Sequence, residues 1–157
     1  YLLILVILMF IGGSPGSCAG GIKTTTFALW LKQLYTGLRG GSRTVLFDRA
    51  ISAELTKRAS IIVSLAVVWN VVGIVVLSIT EAASPHLALS DLLFEQVSAF
   101  GTVGLSTGVT PILSEFGRLW IEATMFVGRT GPLTGMLLFL ETRPVDIRYP
   151  EGKVMLG

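Results

Sequence analysis

The sequence predicts an all-α membrane protein: a helix–re-entrant pore loop–helix unit, preceded by a helix that is broken partway along. Three observations carry this. The 157 residues are 52% hydrophobic and only 14% charged, with a mean hydropathy of +0.75; soluble domains carry roughly a quarter charged residues. Long uncharged apolar runs alternate with short polar segments. Glycine, at 18 residues, recurs in two stretches, Gly12 to Gly21 and Gly101 to Gly108, each set against an apolar run. The net charge of +2 gives no reason to expect nucleic acid as a partner, and a single cysteine excludes an internal disulfide.

Tyr1 to Ile11 is continuously apolar. Alone it is too short to span roughly 30 Å of hydrocarbon. No basic segment precedes it, against a signal-peptide core, and Pro15 stands where a lipoprotein cleavage site carries an aliphatic residue. The chain opens on Tyr1 inside this run, so it is read as a fragment beginning near the end of a membrane helix.

Gly12-Gly-Ser-Pro-Gly-Ser-Cys-Ala-Gly-Gly21 cannot hold a regular helix. Apolar and aromatic residues resume at Phe27. A broken helix at membrane depth is tolerated where protein buries it or where it lines a wet cavity, which makes these ten residues a candidate gate or ion site. A plain loop after a helix end is the simpler reading. Gly16 to Thr24 also reads G-x-x-x-x-G-I-K-T, but one inserted residue moves Lys23 off the phosphate-loop register. Cys18 as a nucleophile lacks a base nearby, since the only histidine is His86. An enzyme is therefore not expected.

Lys32, Arg39, Arg43, Arg49, Lys57 and Arg58 follow, opposed only by Asp48 and Glu54. A short basic connection belongs on the cytoplasmic side; lipid head groups or a partner are alternative uses of the charge. Ala59 to Thr80 carries no charge at all and predicts a transmembrane helix. Asn70, near its middle, is expected to bond across helices.

Glu81 to Gly117 holds Glu81, Asp91, Glu95 and Glu115 and neither Lys nor Arg, so this side faces out. Ser90 and Asp91 suit a helix N-terminus. The helix Leu92 to Phe100 would be too short to cross and would end at Gly101-Thr-Val-Gly-Leu-Ser-Thr-Gly108. Such a loop can aim its carbonyls at a common axis, and ringed carbonyls replace the water shell of a monovalent cation. Thr102-Val103-Gly104-Leu105-Ser106 matches the first three residues of the potassium-channel loop TVGYG and departs at the last two. The last apolar run, Leu119 to Leu140, carries Glu122 near its outer end and Arg129 near its centre. A central arginine costs on the order of 3 kcal/mol and usually faces a partner or an aqueous path; a structural salt bridge or carbonyl contact is the plainer role.

Taken together these motifs resemble the Trk/Ktr family of potassium-transport pore subunits. Ala99-Phe-Gly-Thr-Val-Gly-Leu-Ser-Thr-Gly108 is similar to the last of the family's four pore loops, and Gly12 to Phe27 to the intramembrane loop in the second helix of the third repeat. Met125-Phe-Val-Gly-Arg-Thr-Gly-Pro-Leu133 is similar to the final helix, and Arg148 to Gly157 resembles the Ktr-type terminus. The resemblance implies a potassium-channel-like repeat. Residues 1–35 would be the broken second helix of the third repeat, 36–58 a basic cytoplasmic connection, 59–140 the fourth repeat and 141–157 a cytoplasmic tail.

By the same resemblance Thr102, Val103, Gly104, Leu105 and Ser106 form the filter, with potassium at Thr102, Val103 and Gly104. The gate comprises Gly12, Gly13, Ser14, Pro15, Gly16, Ser17, Cys18, Ala19, Gly20 and Gly21, with Lys23 and Arg129 beside it. Cys18 departs from the Ser or Thr expected there. The implied function is uptake of potassium, and of sodium as a second ion, by a multi-pass protein of the plasma membrane, the bacterial inner membrane in particular. Potassium is substrate, and no cofactor is expected in this chain. Implied partners are the remaining three repeats of the same polypeptide, a second copy in a homodimer, a cytoplasmic nucleotide-binding regulatory subunit and membrane lipid. A homotetrameric potassium channel is the alternative; Leu105 in place of the filter tyrosine and the preceding broken helix speak against it.

Overall fold

The computed structural model describes residues 1–40, 45, 46, 49–82 and 87–131. The later part of the last apolar run, from Pro132, and the tail 141–157 lie outside these, as do Arg43, Asp48 and His86. The described chain is helical, apart from a two-residue antiparallel ladder, β1 (Val45–Leu46) with β2 (Arg49–Ala50).

Helix α1 (Leu2–Phe10) is apolar all round and buries only Met9. The chain then leaves helical geometry until α2 (Thr24–Leu38). The break is closed at its base: Gly12 N–H donates to the Ile22 carbonyl at 2.8 Å and Thr24 N–H to that of Gly13 at 3.2 Å, with a parallel bridge between Ile11 and Ile22. Near the end of α2, Lys32 and Arg39 lie 5.6 and 4.5 Å from the centre of the Tyr35 ring.

Helix α3 (Ala53–Thr80) starts six residues before the uncharged run, because Ser52 caps it by accepting from Leu55 N–H. Its first turns carry the exposed Glu54–Arg58 pair, an arrangement worth little by itself. At 28 residues it is about 42 Å long. Among the described residues it is the one helix long and apolar enough to cross a membrane. Thr56, Ala59, Val63, Ala66, Asn70, Gly73 and Leu77 are its buried face, a seam of alternating three- and four-residue steps rich in small side chains that admit close packing. Among the described residues, the interhelical bond expected of Asn70 is not made. Its Nδ2 donates to Ala66 of its own helix at 2.8 Å, and its Oδ1 has no partner among the described residues.

Helix α4 (Leu89–Gly101) begins after Ala88, so Ser90 does not cap it; Asp91 lies in its first turn. From Leu92 onward nearly every residue is buried. Leu92 and Ala99 pack with Leu77 of α3 in one core cluster, and Phe100 with Val63 and Ala66 in a second, while Phe94 and Val97 join Met9 of α1 in a third. Helix α4 thus descends antiparallel to α3. Residues 102–113 bring the chain back up. Ser114 then meets Glu81 at the end of α3, its N–H 3.1 Å and its hydroxyl 2.5 Å from that buried carboxylate. Ser114 also caps α5 (Glu115–Thr130) by accepting from Gly117 N–H, and α5 descends beside α4.

Candidate ion filter and glycine loop

Thr102, at the end of α4, is the only non-glycine among the described residues with a positive φ, at 50°. A β-branched residue in this region is strained by on the order of 1–3 kcal/mol. Three bonds hold it there. Its N–H and that of Val103 return to the Ala99 and Ser98 carbonyls, each at 3.0 Å, and its hydroxyl accepts Gly20 N–H at 2.9 Å. The chain then runs out through Val103, Gly104 and Leu105, all substantially exposed. Among the described residues no hydrogen bond reaches the carbonyl oxygens of Thr102, Val103 or Gly104. The Leu105 carbonyl differs, since it accepts the Ser98 hydroxyl at 2.6 Å.

The limb beyond is braced by Glu95, a buried carboxylate on α4. Its Oε1 accepts from the Ser106 hydroxyl and, at 3.1 Å, from Thr107 N–H; its Oε2 accepts from the Thr110 hydroxyl at 3.1 Å. The Ser106 side chain is therefore turned to the carboxylate. Sequence reasoning counted Glu95 only as an outward acid. The usable signal was its position in the middle of a short apolar segment, with hydroxyl residues following at 11 and 15 places.

The other glycine stretch lies against this one. Gly20 packs so closely that a Cβ there would sit 2.7 Å from the Thr102 hydroxyl, and Gly21 N–H donates to the Gly128 carbonyl of α5 at 3.2 Å. Gly128 itself is pressed on the end of α4: a Cβ there would lie 2.8 Å from the Phe100 carbonyl carbon. Within the loop three consecutive carbonyls are taken by cationic side chains. Lys23 Nζ donates to Ser17 at 3.1 Å and Ala19 at 2.8 Å, and an Arg129 guanidinium nitrogen donates to Cys18 between them. Arg129 thus makes a carbonyl contact, and Cys18 contributes its backbone while its thiol is exposed. Pro15 and Gly16, at the tip of the loop, are both exposed.

A cavity of about 500 Å3 opens along this region between α4, the ascending limb and α5, with Glu95, Thr102, Gly104, Leu105, Phe126 and Arg129 on its wall. Thr102, Gly104 and Arg129 thus share one cavity wall. No group of three or more His, Cys, Asp and Glu able to hold a metal ion is found among the described residues.

Backbone oxygens left unpaired beside a carboxylate-braced limb, in a chain this apolar, suit a membrane protein that handles cations. The signature of the family described as TrkH, cation transport protein, matches residues 1–147, and the chain belongs to that family. Its transporters are membrane proteins rather than enzymes. The chain is 43% identical over 152 residues to the Ktr system potassium uptake protein B of Bacillus subtilis, covering 97% of this chain and 33% of that protein. It is 38% identical to the potassium/sodium uptake protein NtpJ of Enterococcus hirae over 99% of this chain and 35% of that one. The Ktr system potassium uptake protein B of Vibrio alginolyticus is 38% identical over 99% and 33%. The chain therefore spans about a third of the length of the curated relatives it matches.

Proposed function

We propose that this segment forms one helix–pore loop–helix unit of a potassium uptake pore, with sodium as a second permeant ion, in a multi-pass protein of the plasma membrane. Thr102, Val103 and Gly104 present the filter oxygens, and Leu105 and Ser106 shape the limb above them. Gly12 to Gly21, held by Lys23 and Arg129, is the gate. The functions the relatives are named for, potassium uptake and potassium/sodium uptake, support this reading. The observation that carries it is the run of three carbonyls, at the end of a buried helix, that have no partner among the described residues. The antiparallel descent of α4 and the return of the chain to Glu81 support a loop that enters and leaves by one membrane face. Further repeats of the same polypeptide would close the cavity around the ion path. A second copy, lipid on the apolar outer faces, and a cytoplasmic nucleotide-binding regulatory subunit acting on the basic connection complete the assembly.

The test is uptake by the full-length protein in cells lacking their own potassium transporters. Gly104→Ser puts a side chain at φ 82° and should loosen the preference for potassium over sodium. Deleting several residues of Gly12 to Gly21 should raise flux without restoring that preference. Wild-type uptake in both variants would overturn the proposal.

A further inference from the structure

We infer that Gln96 is a positioning residue for ion selection: it fixes the rotation of α4, and with it the spacing of the filter oxygens. The inference rests on the filter reading above.

Gln96 is fully buried, at 0% exposure. It lies next to Glu95 but points to other elements. Its Oε1 accepts Trp120 Nε1–H at 3.1 Å and its Nε2 donates to the Thr124 hydroxyl at 3.4 Å, both on α5. The Trp120 ring is stacked on Trp69 of α3, with centroids 5.4 Å apart and planes 12° from parallel. On its remaining side the amide abuts Gly73 of α3, where a Cβ would come within 2.5 Å of the amide oxygen. One side chain therefore registers α4 against α5 by two directional bonds and against α3 by contact.

Burying an amide is costly unless its donors and acceptors are paired. An apolar side chain of like volume would fill the space with no such requirement. What the amide adds is direction, because its bonds are made at one rotation of α4 only. Residues 97–101 between it and Thr102 are helical and buried, so a rotation at Gln96 is passed to the filter. With helix Cα atoms at a radius of about 2.3 Å, a turn of about 10° moves the last Cα by about 0.4 Å. Selection by a carbonyl ring depends on the spacing and number of its oxygens, which makes it sensitive to a displacement of this size. Glu95 and Gln96 have complementary roles. Glu95 braces the limb after the filter, and Gln96 fixes the helix before it.

The test uses the full-length protein, purified and reconstituted in liposomes, with potassium uptake measured against sodium competition. Gln96→Leu should lower the potassium-to-sodium preference at least fivefold and raise KM for potassium, with kcat within twofold of wild type. Trp120→Phe, which keeps the stacked ring and removes the N–H, should do the same to a smaller extent and keeps the inference testable if Gln96→Leu does not fold. Combined, the two should be no worse than Gln96→Leu alone. Gly73→Ala, which intrudes on the same amide, should reproduce the loss. Inserted variants with wild-type KM and ion preference, altered only in abundance or kcat, would overturn the inference. Wild-type liposomes that pass no cation would instead overturn the filter reading on which it stands.

Discussion

The two glycine-rich stretches are alike in composition and opposite in how they are held. Gly12 to Gly21 is stitched by cations: Lys23 and Arg129 can only donate, so they occupy the loop's carbonyls at Ser17, Cys18 and Ala19. Thr102 to Gly108 is stitched by an anion. The Glu95 carboxylate accepts from the donors of Ser106, Thr107 and Thr110, and among the described residues nothing donates to the carbonyls of Thr102, Val103 and Gly104. The sign of the bracing charge decides which backbone atoms remain available. A carboxylate brace engages donors and takes no carbonyl; a brace of ammonium and guanidinium engages carbonyls and presents positive charge besides.

The strongest way to break this contrast is Glu95→Ala. It strips three donors of an acceptor, and bonds to a charged group contribute about 1.5–3 kcal/mol each. Selective potassium uptake should fall on the order of a hundredfold, with Glu95→Gln intermediate because one acceptor oxygen survives. Retention of wild-type selectivity in Glu95→Ala would show that the carboxylate does not shape the limb. Next in size is Gly128→Ala, which forces α5 off the Phe100 carbonyl at the junction of both loops. Overpacking of this kind costs roughly 1–3 kcal/mol, to be seen as a lower unfolding midpoint in detergent. Arg129→Gln keeps a donor but removes the charge; it should cost about 1 kcal/mol and raise unstimulated flux several-fold, read by tracer uptake. The smallest expected effect is that of Thr102→Val, which leaves Gly20 N–H without its acceptor. It should increase basal leak by about fivefold, corresponding to roughly 1 kcal/mol, while Thr102→Ser restores closure. A drop in flux with no leak would mean that the hydroxyl serves the ion rather than the loop.

Much of the scaffold was legible because hydrocarbon imposes simple rules. An uncharged run the length of Ala59 to Thr80 has few other uses, and glycine with proline breaks a helix wherever it falls. The orientation of α3 was not legible. Both its faces are apolar, so periodicity cannot tell the buried seam from the exposed Val67, Val68, Val71, Val72, Val75 and Ile79. Only the small residues Ala59, Ala66 and Gly73 mark the inner side, and they do so weakly. The start of α3 was misjudged because Glu54, Lys57 and Arg58 read as loop, although Ser52 supplies a cap. Asn70 was expected to reach a neighbour and instead bonds its own helix. At the candidate site, glycine and threonine in that order advertised an unusual backbone, and the structure shows a positive φ at Thr102, Gly104 and Gly108. They did not disclose the braces. Glu95 and Gln96 are adjacent, and only the helix geometry sends one to the ascending limb and the other to the outer helices.

The neck formed by Ile11 and Ile22 has a mechanical consequence. A drawstring knotted at both ends lets the bag change shape without moving the hands that hold it. With Gly12 tied to Ile22 and Gly13 to Thr24, the residues between can rearrange while α1 and α2 keep their separation. What then holds those residues in place is the Lys23 ammonium and the Arg129 guanidinium within the loop, together with the bonds of Gly20 to Thr102 and Gly21 to Gly128.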